Sequence, residues 1–444
     1  MKKFIIPSLL IFSTSLTFAQ ELTLENCIQI ALQNNKNILI SQESLKSSQE
    51  DQTISRAGFI PELNVSATSS KTKFGKTITE REIDVTDSTG TATTVLVPIE
   101  SDGFTTKNHS LSASLSKTWN YATLKSYQRS SLSVEQSELE LKDTKSQIVT
   151  SVTDSYLNLL QAQELEKVYS ENVKLSEEQL KRAESLYKVG TQTKASFLQS
   201  KVSLGTDKIR LLEQKENVKV SRANLNINLG KDPFEPLAVS EDFPKVIPEI
   251  NFEELIQNFK NNNFSLNSKE LDIKQADKSR EVAKSGYFPN LTGSLSYGRS
   301  NSDLGEVYGS FDRNWSFTGS ATLSMNLFNG FQTSANLQKA EISKIIAKRD
   351  FERTLQNLSL DLLRTYEDLQ TTIQVITINR ERIESAEEDL KLAKERYSVG
   401  SGTQLEFRDT QVALIRAKAD LVISEFGAQK ALAKLNELTG KNNY

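Results

Sequence analysis

The sequence predicts a mixed α and β membrane protein, an internal duplication of long coiled-coil helices and strands of bilayer-crossing length. Three observations predict it: a seven-residue apolar period late in the chain, an earlier copy of that pattern, and a pair of alternating strands in each copy. The period runs through Leu355, Leu362, Leu369, Ile376, Ile383, Leu390 and Tyr397. Such a repeat marks a helix that packs along another helix. Three residues after these come Leu358, Thr365, Thr372, Asn379, Ala386 and Ala393, mostly small or polar, so a partner can approach closely. Counted over 331–398 the helix has some 68 residues and is roughly 100 Å long, too long for the core of a compact domain.

The earlier copy lies 210 positions upstream: Lys145, Val152, Leu159, Glu166, Val173, Leu180 and Tyr187. Tyr187-Lys188-Val189-Gly190 matches Tyr397-Ser398-Val399-Gly400, and Leu229-Gly230-Lys231 matches Thr439-Gly440-Lys441. Self-similarity on this scale sets the fold reading. It divides the chain into a first repeat, 20–230, a linker, 231–250, and a second repeat, 251–444.

The chain has 444 residues, a formal net charge of -3, 25% charged and 37% hydrophobic residues, which is neither a disordered nor a helical-membrane composition. A pI near 5.7 gives no basic footprint for nucleic acid. Residues 1–19 read as a signal peptide: Lys2 and Lys3, a largely apolar 4–18, and Thr17-Phe18-Ala19 before the cleavage point. No later stretch approaches 18 apolar residues. Export then leaves a secreted, periplasmic or outer-membrane β-barrel protein. Cys27 is the only cysteine, so no intrachain disulfide can form, and it reads as a small apolar helix residue. His109 is the only histidine, which excludes a His-based triad and a multi-histidine metal site.

In order, 23–57 reads as one helix, capped by Thr23, with Leu24, Cys27, Ile28, Ala31 and Leu32 on one stripe. Gly58 and Pro61 end it. Leu63, Val65 and Ala67 alternate with polar residues in a strand. Residues 70–107 read as a long exposed loop, and Leu111, Ala113 and Leu115 mark a second strand closed by Trp119 and Tyr121, aromatics suited to a membrane–water boundary. This hairpin spans 59–121. The first long helix runs to Lys188, turns at 189–193 and returns to Leu229, where Gly230 caps it. The linker carries Pro233, Pro236, Pro244 and Pro248, half of the 8 prolines. The second repeat replays the order: a helix to 261–263, a hairpin over 287–329 with strands 291–297 and 317–327, Phe328 beside the last as a further membrane-interface aromatic, then long and returning helices. The offset between the copies is 228 before the hairpin and 210 after it, so the second hairpin is 18 residues shorter, net.

Four strands cannot close a barrel, and an open edge in lipid costs several kcal/mol per unpaired peptide group. If the strands cross a membrane, several chains share one barrel; otherwise they form a soluble periplasmic sheet.

Nearly all of the chain resembles the TolC-like outer-membrane efflux channel family. The resemblance rests on Leu-Glu-Asn-Cys-Ile-Gln-Ile-Ala-Leu-Gln-Asn-Asn near 22–35, on the strand entries Gly58-Phe59-Ile60-Pro61-Glu62-Leu63 and Gly286-Tyr287-Phe288-Pro289-Asn290-Leu291, and on the two Tyr-x-Val-Gly turns. It implies a homotrimer with a twelve-stranded barrel, four strands per chain, set in outer-membrane lipid and continued by a helical barrel in the periplasm. It implies no catalysis and no cofactor. An inner-membrane transporter supplies energy and a periplasmic adaptor joins the two, in an efflux or type I secretion system. Val189, Gly190 and Thr191, with Val399, Gly400 and Ser401, are then adaptor-docking turns. Glu406 and Asp409 share a helix face and fall where relatives carry acids lining the closed entrance; in a trimer each gives a ring of three carboxylates that favours cations. Tyr397 keeps the family's gate tyrosine. The family's arginine–aspartate lock is missing, since Gly402 and Ser196 hold those positions. Arg408, between the acids, is expected to pair with one of them. The competing readings are a periplasmic adaptor, which has one hairpin, and a structural coiled coil, which needs no aromatic-flanked strands. No Gly-rich phosphate loop, metal cluster or nucleophile–base pair suggests an enzyme.

Overall fold

The computed structural model describes residues 21–86, 88–241, 248–309 and 312–442. The expected signal peptide and linker residues 242–247 lie outside them. The chain forms two compact units, one helical and one built on a sheet.

In the first half come α1 (Leu24–Asn34), α2 (Lys36–Ala57), β1 (Glu62–Lys73), β2 (Thr77–Thr86), β3 (Ala92–Ser101), β4 (Thr105–Trp119), α3 (Tyr121–Lys188) and α4 (Lys194–Asn228). The second half has α5 (Phe252–Asn262), α6 (Phe264–Lys284), β5 (Asn290–Asn301), α7 (Leu304–Tyr308), β6 (Trp315–Ser324), α8 (Gln332–Ser398) and α9 (Gln404–Leu438).

The long helices α3 and α8 have 68 and 67 residues, as the heptads predict. Leu362, Leu369 and Ile376 of the heptad line are buried, and Asn379 and Ala393 of its small-residue line are buried with them. Two apolar clusters hold the helical unit. Cys27, Ala31, Ile38, Val152, Tyr156 and Leu225 belong to one; Leu255, Phe259, Leu362, Leu369 and Leu435 belong to the other. Burial pushes the Cys27 thiol up to about 11, against a smaller downward pull from Lys231.

The expected single helix over 23–57 is two, broken at Asn35. Its amide is the reason: Oδ1 accepts from the Asn37 N–H while Nδ2 donates to the Asn228 carbonyl, 2.9 and 2.8 Å. Asn35 thus starts α2 and ties it to the end of α4. Asn263 does the same between α5 and α6, accepting from Leu266 N–H and donating to Leu438 O.

The main sheet has the order β1-β4-β5-β6 and is antiparallel throughout. Residues 70–107 are not a loop. β1 runs on to Lys73, β4 begins at Thr105, and β2 and β3 form a separate two-stranded ribbon. The β-branched run Thr77-Ile78-Thr79, with Ile83, Val85 and Thr93 to Val97, favours strand. Interspersed Glu and Asp gave that segment a loop-like composition. The last strand is also shorter than expected: β6 stops at Ser324, leaving Met325 and Leu327 outside it.

Strand alternation sorts the main sheet into two faces. One carries Leu63, Val65, Leu111, Leu115, Leu295, Phe317 and Leu323. The other is a field of hydroxyls, in cross-strand rows such as Asn64–Ser114–Ser296–Thr318 and Thr118–Thr292–Thr322. Hydroxyls pair across strands at Ser66–Ser112, Thr118–Thr292 and Ser294–Ser320, 2.7 to 2.9 Å.

Gly230 closes α4 with φ +76, and a Cβ there would lie 2.4 Å from the Asn34 carbonyl oxygen. The left-handed backbone alone costs an L-residue about 1–2 kcal/mol, and the clash adds to it. Gly230→Ala is therefore expected to destabilise the helical unit by at least about 2 kcal/mol in thermal unfolding. Gly205→Ala, inside α4 with open space around it, should instead stabilise by up to about 1 kcal/mol.

Candidate functional site

The two helical turns are built alike. Each long helix ends in a Tyr-x-Val-Gly segment whose glycine takes the left-handed conformation, φ +79 at Gly190 and +80 at Gly400. The N–H groups of Thr191 and Gln192 return to Leu186 O; those of Ser401 and Gly402 return to Arg396 O. The hydroxyls of Thr191 and Ser401 reach the same carbonyls, 3.0 and 3.2 Å. Thr193 and Thr403 then cap the returning helices through the N–H groups of Ser196 and Glu406. Val189 and Val399 stand out from the turns, 70% and 78% exposed. Both tyrosines stack on a phenylalanine of the returning helix, Tyr187 on Phe197 and Tyr397 on Phe407, with centroids 5.8 and 5.9 Å apart.

The second turn is tied to the first. Gln192 Nε2 donates to the Tyr397 hydroxyl at 2.7 Å, and the Arg182 guanidinium lies 5.7 Å from the Tyr397 ring centroid. A Cβ on Gly402 would lie 3.0 Å from the Tyr397 amide nitrogen. This turn is tight at Gly402, the position at which the resemblance described above implies an arginine.

Of the two expected acids, Glu406 pairs with Arg396 across the turn at 2.6 Å, and Asp409 is exposed on the next helical turn. Arg408 pairs with neither of them. It turns the other way and holds Asp207 of α4 through both carboxylate oxygens, 2.6 and 2.8 Å. The reason is burial. The Asp207 side chain is wholly inaccessible, and a buried carboxylate requires a paired, hydrogen-bonded cation. Ser176 Oγ also donates to Asp207 at 2.6 Å; Gln411, itself fully buried, donates to Asn172 and Ser176 and accepts from Gln179. Burial alone would raise the Asp207 pKa; the Arg408 fork and the Ser176 hydroxyl outweigh it and hold the carboxyl below its ordinary value. The network joins α3, α4 and α9 within the helical unit. One sequence signal pointed to it: Asp207 sits three residues after Leu204 on the apolar line of α4, where a charge demands a partner.

The expected interface aromatics all lie where strands meet helices. Trp119 is 52% and Phe328 73% exposed. Tyr121 is half-buried; its hydroxyl donates to Glu281 at 3.0 Å and its ring packs on Phe288.

Comparison with known proteins bears on this arrangement as a whole. The family model described as outer membrane efflux protein matches residues 27–231 and 255–441. The probable efflux pump outer membrane protein TtgC of Pseudomonas putida is 22% identical over 432 residues, 96% of this chain and 82% of that protein. The outer membrane protein VceC of Vibrio cholerae has the same fold at a TM-score of 0.76 and 17% identity, over 94% of this chain and 96% of VceC. CusC, in a structure described in terms of transmembrane channel formation, superposes at a TM-score of 0.79 with 16% identity, over 96% and 93% of the two chains. The relatives are channel proteins rather than enzymes, and the adaptor and structural coiled-coil readings give way to them. The chain belongs to the outer membrane efflux protein family and serves as an efflux channel of the outer membrane, its helical part in the periplasm.

Proposed function

We propose that three copies of this chain close one twelve-stranded barrel, and that the assembly is the passive exit duct of a tripartite efflux system. The observation that carries this is the two-faced sheet with two open edges. Its apolar face suits lipid and its hydroxyl face suits water. β1 and β6 are the edges and run in opposite directions, so β6 of one copy can pair with β1 of the next and continue the antiparallel pattern. Closure removes the unpaired peptide groups that lipid does not tolerate. Recurrence of the Asn35 and Asn263 breaks and of the two glycine turns supports descent from one duplicated unit, with repeats 20–230 and 251–444 joined by 231–250. The exposed Val189 and Val399 offer apolar contacts to a periplasmic adaptor, which links the duct to an inner-membrane transporter; a type I secretion partner fits the same turns.

Within the duct we assign three roles. Glu406 and Asp409 line the periplasmic entrance as rings of carboxylates. Arg396 takes up only part of the Glu406 charge, because an exposed pair is weak, about 0–1 kcal/mol. Tyr397, through Gln192, ties the two turns together. Arg408, in place of the missing lock, fastens the returning helix α9 to the first hairpin through Asp207.

The assembly is tested by the mass of the detergent-extracted protein and its conductance in planar bilayers. A species of three chains that conducts is expected; a non-conducting monomer would sink the barrel. Glu406→Gln with Asp409→Asn should lower cation over anion selectivity in reversal-potential measurements, and an unchanged ratio would remove the ring. Asp207→Asn strands Arg408 without its carboxylate, a loss of about 3–5 kcal/mol, seen as faster amide exchange at the start of α9. Because the folded Asp207 pKa is lowered, the wild-type contribution is full above about pH 4 and disappears as pH falls through the folded value. The Asn variant should lose that acid dependence.

A further inference from the structure

The apolar face of the main sheet ends in a group of cations. Followed away from the helices, β1 places Leu63, Val65, Ala67, Ser69, Lys71 and Lys73 on that face; β4 places Leu115, Ala113, Leu111, His109 and Lys107 beside them. Lys71 and Lys107 are register partners, directly opposite each other, and Lys73 stands diagonally from Lys107. Like charges in that position destabilise a strand pair. All three lysines are exposed, and among the described residues none has a carboxylate partner. No strand of the sheet puts an acid on this face. The neighbouring cations are engaged elsewhere: Lys76 pairs with Asp102, and buried Arg299 donates to the Glu306 and Arg313 carbonyls.

Position says what could lie opposite these lysines. The helices join the sheet at the end marked by Glu62, Trp119, Asn290 and Ser324. With the helices in the periplasm, Lys71, Lys73 and Lys107 lie at the outer end. From Trp119 to Lys107 is about 40 Å of strand at roughly 3.3 Å per residue, or about 30 Å of height at a tilt near 40°, just past an apolar band of about 25 Å.

We propose that Lys71, Lys107 and Lys73 form a docking site for phosphorylated lipid headgroups of the outer leaflet. The apolar face below takes the acyl chains and the lysines take the phosphates, whose charge relieves the repulsion between Lys71 and Lys107. Basic groups at a membrane surface attract anionic lipid in this way. The site rests on the barrel reading above.

The test uses the full-length protein in nanodiscs of neutral phosphatidylcholine containing a minor fraction of diphosphoryl lipid A, with retained lipids counted by mass spectrometry. Wild type should retain lipid A over neutral lipid, and Lys71→Gln with Lys107→Gln should cut that enrichment about tenfold. In purely neutral discs the double variant should be at least as thermally stable as wild type, an outcome that a merely structural role for the lysines does not give. Equal enrichment in the variant overturns the site, as does its abolition by inorganic phosphate at the same phosphate concentration, which marks an unspecific anion contact. Conductance of both proteins in neutral bilayers is the separate check: loss of wild-type conductance counts against the barrel, whereas normal conductance with unchanged lipid retention counts against the lysines alone.

Discussion

A peptide group in hydrocarbon has no water to bond, and the organisation of this chain follows from that. A four-stranded sheet with order β1-β4-β5-β6 pairs its inner strands fully and leaves one side of β1 and one side of β6 bare. Those edges can be satisfied in lipid only by other strands. Among the described residues the chain has no other strand to spare, since β2 and β3 pair with each other in a ribbon of their own. On the proposed barrel, the need for further copies follows from these two edges. Much of what is exposed on the isolated chain, Leu63, Val65 and Phe317 among them, is explained by surfaces that the chain does not itself supply.

The helical unit solves a different problem. Its halves are built alike at the turns, at the tyrosine–phenylalanine stacks and at the asparagine breaks, yet the buried ion pair that joins them, Asp207 of the first to Arg408 of the second, has no reciprocal pair. Positions corresponding to Asp207 and Arg408 hold Ala417 and Leu198. A buried ion pair adds little net stability over an apolar pair but leaves a large penalty if either member is missing. Because it joins the first repeat to the second without a reciprocal pair, it distinguishes two otherwise similar hairpins and sets which faces of α3, α4 and α9 meet.

The long helices, the turns and the strand entries were legible because each rests on a local rule: a period of seven, a glycine that must reverse the chain, a proline that must end a helix. What was hidden depended on distant partners. The helix break at Asn35 is only half visible locally: its Oδ1 caps the Asn37 N–H, but the Asn228 carbonyl that takes its Nδ2 lies 193 residues away. The ribbon of β2 and β3 read as a loop because its interspersed acids mask a β-branched pattern. Arg408 was placed on the right helix and given the wrong partner. Spacing offered Glu406 and Asp409, while the true partner was a carboxylate that α4 had already taken out of water. The lysines at 71 and 107 were part of the supposed loop until the register set them face to face.

The hydroxyl face of the sheet carries a consequence for whatever passes over it. Serine and threonine side chains that bond to one another across strands, as Ser66 does with Ser112 and Ser294 with Ser320, have fewer free donors and acceptors to offer a solute. They carry no net charge and are short, so they hold nothing at a fixed point. In a closed barrel such a wall would be wettable and yet low in friction: a cargo would meet many weak, interchangeable contacts and no deep trap, and the rate of transit would be set by bore rather than by adhesion.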